Sequence, residues 1–109
     1  MATLGDLIAG ERPVLVDFSA EWCGPCQILK PELKTLARML GDRLTIVTVD
    51  VDNPKNETFA ASQGVRSVPT LVLFRRGAVQ WRGTGYRTAA QLAGELEPFL
   101  EMAGAQESA

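Results

Sequence analysis

Histidine is absent from this chain of 109 residues, and cysteine occurs only twice, at Cys23 and Cys26. A structural zinc site needs four nitrogen or sulfur ligands, so one chain with two thiols and no imidazole cannot build it. An iron–sulfur cluster wants four thiolates, and c-type haem attachment wants a histidine where Gln27 stands. No metal site is therefore expected. An excess of positive charge is lacking too: 11 basic residues face 13 acidic ones, for a net charge of −2. That balance argues against a nucleic-acid or anionic-membrane surface. No uncharged apolar run approaches the roughly 18 residues of a membrane span. The opening Met1-Ala2-Thr3-Leu4-Gly5-Asp6 has no basic segment ahead of an apolar block, so no secretory signal is expected and a cytoplasmic home is. With 46% hydrophobic residues, the length suits one domain over 1–109 and is too short for two. The packed core should span about 13–100, and the small polar tail at 104–109 should be flexible.

The two cysteines stand in Trp22-Cys23-Gly24-Pro25-Cys26, directly after the apolar run Val14-Leu15-Val16-Asp17-Phe18, which reads as a buried strand. Leu29, Leu33, Leu36 and Leu40 then recur at helical spacing. The pair thus lies where a strand gives way to a helix N-terminus. Unpaired backbone N–H groups and the helix dipole favour negative charge there, and a thiolate is the negative charge a cysteine offers. This placement points to redox chemistry. The competing view is a structural clasp, but closing so short a loop stabilises by only about 2 kcal/mol.

Around this centre the pattern predicts a short helix from Thr3-Leu4-Gly5-Asp6, then the strand Val14–Phe18 and the helix after Cys23, with Pro31 inside it and Gly41 at its end. Leu44–Val49 reads as a second strand. Asn53 and Pro54 open a short helix that Gly64 closes. Thr70–Phe74 is a third strand, and an Arg76-Gly77 turn leads to a fourth near Val79–Arg82. Thr88 with Gln91 caps a final helix whose buried stripe is Leu92, Leu96, Phe99 and Leu100. The βαβ portion implies a parallel strand pair, and the hairpin adds antiparallel ones. Asp17 is a carboxylate amid apolar neighbours: either a buried group with a raised pKa, or an acid at a strand end or helix cap facing water.

Asp17-Phe18-Ser19-Ala20-Glu21-Trp22-Cys23-Gly24-Pro25-Cys26, Pro31, Val68-Pro69-Thr70, Gly77 and Gly85 together resemble the thioredoxin family, from about Pro13 to Leu100. The resemblance implies an α/β fold: a central mixed β-sheet of about four strands flanked by helices. Only twelve residues precede Pro13, so the family's first strand is expected to be missing and Leu44–Val49 to lie at a bare sheet edge. Ser19 stands where many relatives carry a second tryptophan, and Thr48 where many carry a lysine near the buried aspartate.

The resemblance further implies a protein disulfide reductase with no bound cofactor, recharged from NADPH by a flavin-dependent thioredoxin reductase. Cys23 would attack, Cys26 would resolve, and Asp17 would accept the Cys26 proton. Thioredoxins bring the attacking thiol to a pKa of about 7, which raises the thiolate fraction roughly sixteenfold over an ordinary cysteine. Intrinsic nucleophilicity falls about four- to sixfold in compensation, so proximity must matter more than acidity. The Val68–Pro69 bond should be cis beside the dithiol, where the Val68 backbone would meet an extended substrate strand. Trp22, Gly24, Pro25, Val68 and Gly85 should form a flat apolar platform, joined by Val51, Ser67 and Tyr86. Core packing is the alternative for Trp22, and a turn the alternative for Gly85. Partners would be the reductase and oxidised proteins, met by a monomer with a weak tendency to pair at its edge strand. Other readings are a client-binding, chaperone-like module on the same fold, or a disulfide isomerase or donor. The Gly-Pro pair, with no histidine between the cysteines, agrees with a reductant.

Overall fold

A computed structural model describes the backbone of residues 3–108 and the side chains of residues 3–100. Helix α1 (Leu4–Ala9) opens on a capping box: the Thr3 hydroxyl accepts from the Asp6 amide, and the Asp6 carboxylate accepts from the Thr3 amide. Strand β1 (Val14–Ser19) follows, then helix α2 (Gly24–Leu40), which runs through Pro31 and ends at Gly41 with φ +56°. Strand β2 (Thr45–Asp50) comes next. The expected short helix divides into a 3-10 turn at Pro54–Asn56, capped by the Asn53 side chain, and helix α3 (Glu57–Ser62). Strands β3 (Thr70–Arg75) and β4 (Ala78–Thr84) form the hairpin, and helix α4 (Ala89–Ser108) closes the chain. Helix α4 continues past residue 103, where the sequence places the tail; Ala109 lies outside the described residues.

The sheet order is β2-β1-β3-β4, with β2 parallel to β1 and the other neighbours antiparallel. Among the described residues nothing pairs with the outer side of β2. All six residues of β1 are buried, because a central strand with helices on both faces has no solvent side. Alternation then divides the core. Leu15, Leu71 and Leu73 meet Leu29, Leu33 and Leu36 of α2 and Leu92 and Leu96 of α4. On the opposite face Val14, Val16, Phe18 and Phe74 pack with Ala60 and Phe59 of α3 and with the apolar side of α1. The two helical stripes read from the sequence are thus the two halves of one layer.

The hairpin turn needs left-handed backbone at both central positions, and Arg76 (φ +54°) and Gly77 (φ +77°) supply it. For Arg76 this conformation is unfavourable. It is held by two contacts from the segment before β1: the Arg76 amide donates to the Gly10 carbonyl, and the guanidinium pairs with Glu11. Arg75 also donates to the Glu11 carbonyl, which fixes the entry to β1 against the end of β3.

Trp81 on β4 folds back over Gly83, two residues along the same face. Arg87 also lies over the indole, 5.6 Å from its centre, and is itself bound to Glu95 of α4. A Cβ at position 83 would lie 2.7 Å from the indole ring. Gly83→Ala should therefore push Trp81 off the core and lower stability by about 1–3 kcal/mol in denaturant unfolding. A variant as stable as the parent would show that the indole shifts without cost.

Candidate functional site

At the end of β1 the chain turns outward and re-enters as α2, and Cys23 is the N-cap of that helix. Its sulfur accepts the Cys26 backbone N–H at 3.2 Å, and its carbonyl accepts the Gln27 N–H at 3.2 Å. Pro25 fits the first helical turn because its missing N–H would have no partner there. Cys23 and Cys26 are joined as a disulfide with Cα atoms 5.2 Å apart. Their exposures differ: Cys23 retains 4% and Cys26 none, so only the first presents an edge to an incoming group. The Cys23 sulfur also lies 3.6 Å from the Val68 carbonyl oxygen, across the sheet end, and the Val68–Pro69 bond is cis.

The loop before the dithiol is tied down by a residue that the sequence did not single out. The Gln27 side-chain amide donates to the Glu21 carbonyl at 3.1 Å and, more weakly, to the Ala20 carbonyl at 3.4 Å. Trp22, expected either on the platform or in the core, is 72% exposed, so core packing is ruled out. Its indole N–H donates to the Asp52 carboxylate at 2.7 Å, and this contact fixes the ring across 30 residues of sequence. Nothing local marks Asp52 for that task.

Beside the ring the surface is a groove of about 320 Å3 and not a flat platform. Trp22, Val51, Ser67 and Val68 line it, as expected, but its far wall belongs to α3 and the loop after it: Glu57, Ala60, Ala61, Val65 and Arg66. That wall was missed because its residues share no motif and meet only through the fold. Gly24 and Pro25 are exposed at the start of α2, outside the groove lining. Gly85 adopts φ +88° and donates its N–H to the Pro69 carbonyl at 2.9 Å, so it serves the turn beside that proline. Tyr86 is exposed and also stands apart from the groove. The loop forming the wall is anchored from behind by Arg82 of β4, which donates to the carbonyls of Gln63 and Gly64 at the end of α3.

Asp17 is fully buried on the β1 face that meets α2, the same layer that takes the fully buried Cys26. Neither carboxylate oxygen has a hydrogen-bond partner among the described residues. Desolvation disfavours the charged form, and the pKa rises to about 6. Lys30, one turn along α2 from Cys26, opposes the rise more than any other group. Thr48, directly opposite Asp17 in the ladder, opposes it more weakly because its hydroxyl is near but out of bonding geometry.

A carboxyl with a raised folded pKa stabilises the fold least when it is ionised. Stability should therefore fall as pH rises from about 4 through 6, then level off. Asp17→Asn should remove that loss and stabilise the oxidised protein at pH 7 by on the order of 2 kcal/mol. The gain should vanish at pH 4, and a gain independent of pH would refute a buried titrating acid. Lys30→Ala should move the Asp17 carboxyl resonance midpoint further up in an NMR titration.

Among the described residues no group of three His, Cys, Asp or Glu side chains could hold a metal ion, and no helix is long and apolar enough to cross a membrane. The thioredoxin family model matches residues 3–98. The chain is 42% identical over 95 residues to the thioredoxin of Mycolicibacterium smegmatis, covering 87% of this chain and 85% of that one. It is 37% identical over 100 residues to the thioredoxin of Alicyclobacillus acidocaldarius, covering 92% and 93% respectively. A solved mutant thioredoxin from Halobacterium salinarum superposes with a TM-score of 0.78 at 38% identity, covering 89% of this chain and 82% of that one. With the dithiol at a helix tip and a mixed sheet beneath it, the chain belongs to the thioredoxin family of protein disulfide oxidoreductases, which need no bound cofactor.

Proposed function

We propose that the protein reduces disulfides in partner proteins, with Cys23 attacking, Cys26 resolving and Asp17 managing the proton of Cys26. The observation that carries this reading is the asymmetry of the pair: one sulfur keeps a 4% exposed edge under a helix N–H, while the other is fully sealed in the layer that also holds an unpartnered carboxyl. In the reduced protein the Cys26 N–H steadies a Cys23 thiolate. That thiolate attacks one sulfur of the partner's disulfide. A Cys23–partner bond forms, the partner's S–S bond breaks, and its second sulfur leaves as a thiolate. Cys26 then passes its proton towards Asp17 and attacks Cys23. The intramolecular disulfide forms, the mixed disulfide breaks, and the partner departs with two electrons, its two thiolates taking up the proton passed to Asp17 and one from water to become thiols. Because the resolving sulfur sits three residues away in one helical turn, this second step gains from proximity.

The groove beside Trp22 receives the partner's chain, with the Val68 carbonyl available for backbone pairing and an apolar floor for one side chain. Gly24, Pro25, Gly85 and Tyr86, which lie outside the groove lining, would meet the partner elsewhere around the dithiol. A flavin-dependent thioredoxin reductase returns the electrons from NADPH. A reducing dithiol with no further cysteine suits the cytoplasm, where thiols are kept reduced and where such a carrier serves electron transport and redox homeostasis. The working unit is the single chain, since every residue assigned a role belongs to one copy.

Two variants separate the roles. Cys23→Ser should abolish reduction of insulin disulfides by reductase and NADPH. Cys26→Ser should accumulate a covalent mixed disulfide with substrate, visible as a mass increase that dithiothreitol reverses. A Cys23→Ser protein that keeps its main activity would favour a client-binding module. A reduction potential far above the value of about −270 mV typical of thioredoxins would favour a disulfide donor.

A further inference from the structure

The stretch from Val65 to Val68 lines the groove and carries the backbone that a partner would meet, yet few contacts of its own hold it. Among the described residues the N–H groups of Arg66, Ser67 and Val68 have no partner, and the Thr70 hydroxyl on the Ser67 carbonyl is the one local tie. The stretch is therefore placed from its two ends. After Val68, the Gly85 N–H donates to the Pro69 carbonyl at 2.9 Å. Before Val65, the chain leaves α3 through Gly64, whose φ of +65° turns it into the wall. Arg82 meets it there: Nη1 donates to the Gln63 carbonyl, and Nη2 to the Gly64 carbonyl at 3.0 Å.

The ladder explains why Arg82 can reach so far. It stands opposite Val72, and residues directly opposite share a face of the sheet. Val72 packs in the layer that holds Phe59 and Ala60 of α3, so Arg82 lies on the α3 side. Its planar fork of donors suits two successive carbonyls, which a lysine ammonium would meet only one at a time. Among the described residues no carboxylate pairs with Arg82 and draws it away.

From this geometry we infer that Arg82 is a positioning residue for the reduction of protein disulfides. It holds Val65 and Arg66 as a wall facing Trp22 and Val51, and it touches neither the partner nor the sulfurs. The inference rests on the groove being the seat of the partner's chain. The two ends of the stretch differ in kind. Gly85 holds Pro69 through backbone atoms, whereas Arg82 acts through a side chain and can be removed alone. A small disulfide needs no wall to reach Cys23, so removing Arg82 penalises protein partners only.

Stopped-flow oxidation of the reduced protein tests this. Arg82→Ala should slow reduction of insulin by about three- to tenfold, as loss of a charge-assisted contact implies, with the change in KM and not in kcat. Its rate with bis(2-hydroxyethyl) disulfide should match the parent's. Arg82→Lys should fall between the two, and it carries the comparison if Arg82→Ala does not fold. Hydrogen exchange should quicken at the Val65 N–H, which donates to the Ala60 carbonyl, and stay slow at Leu71 and Leu73 in β3. Arg38→Ala, which removes an equal charge from the exposed side of α2, should leave both rates unchanged. Equal slowing with both disulfides, faster exchange throughout, or an insulin rate equal to the parent's would overturn the inference. A parent protein that reduces the small disulfide but not insulin would overturn the groove reading along with it.

Discussion

The structure depends on one junction, the covering of the Cys23 sulfur by the Cys26 N–H at the start of α2. A helix can begin there only because β1 delivers the chain to the end of the sheet and stops. The strand stops there because Ala20 to Cys23 curl back in a turn secured by the Cys23 N–H on the Ala20 carbonyl. The helix is in turn held flat on the sheet by Leu29, Leu33 and Leu36, so its tip has no freedom to drift from the sulfur. Removing a β1 residue from the core would thus act on the redox pair without touching it. The local chemistry is inexpensive in residues and demanding in support.

Asp17 shows how that support and the chemistry share one strand. A buried carboxyl without partners costs stability, and no packing reason requires an acid between Val16 and Phe18. Its position opposite Thr48 places it one strand from the sheet edge, and its face places it under α2. Thr48 on the neighbouring strand brings no positive charge, whereas Lys30 on the helix does. Charge compensation comes from the layer above the sheet. The acid is thereby tuned by the same helix whose tip holds the sulfurs.

Much of this was legible in the chain because the signals are local. The capping boxes at Thr3 and Thr88, the left-handed glycines at 41, 64 and 77, and the leucine stripes of α2 and α4 each declare themselves within a few residues. The fold and the redox pair followed from them and from the motif. The rest depends on contacts that no spacing encodes. Asp52 meets Trp22 across 30 positions, Gly83 matters only because Trp81 folds onto it, and the groove wall from Glu57 to Arg66 exists only once α3 is docked. A platform was expected because the motif names its near side. The far side is made of two alanines and one valine between Glu57 and Arg66, whose part in the site only tertiary packing defines.

Arg82 gives this arrangement a reach beyond the sulfurs. It sits on β4, across the sheet from β2, and grips the last carbonyls of α3 at Gln63 and Gly64. At its other end α3 is preceded by the turn that Asn53 caps. The wall is consequently strung between two moorings, neither of which touches an arriving protein. Selectivity among clients can then drift through changes at the outermost strand, while the reactive pair stays as it is.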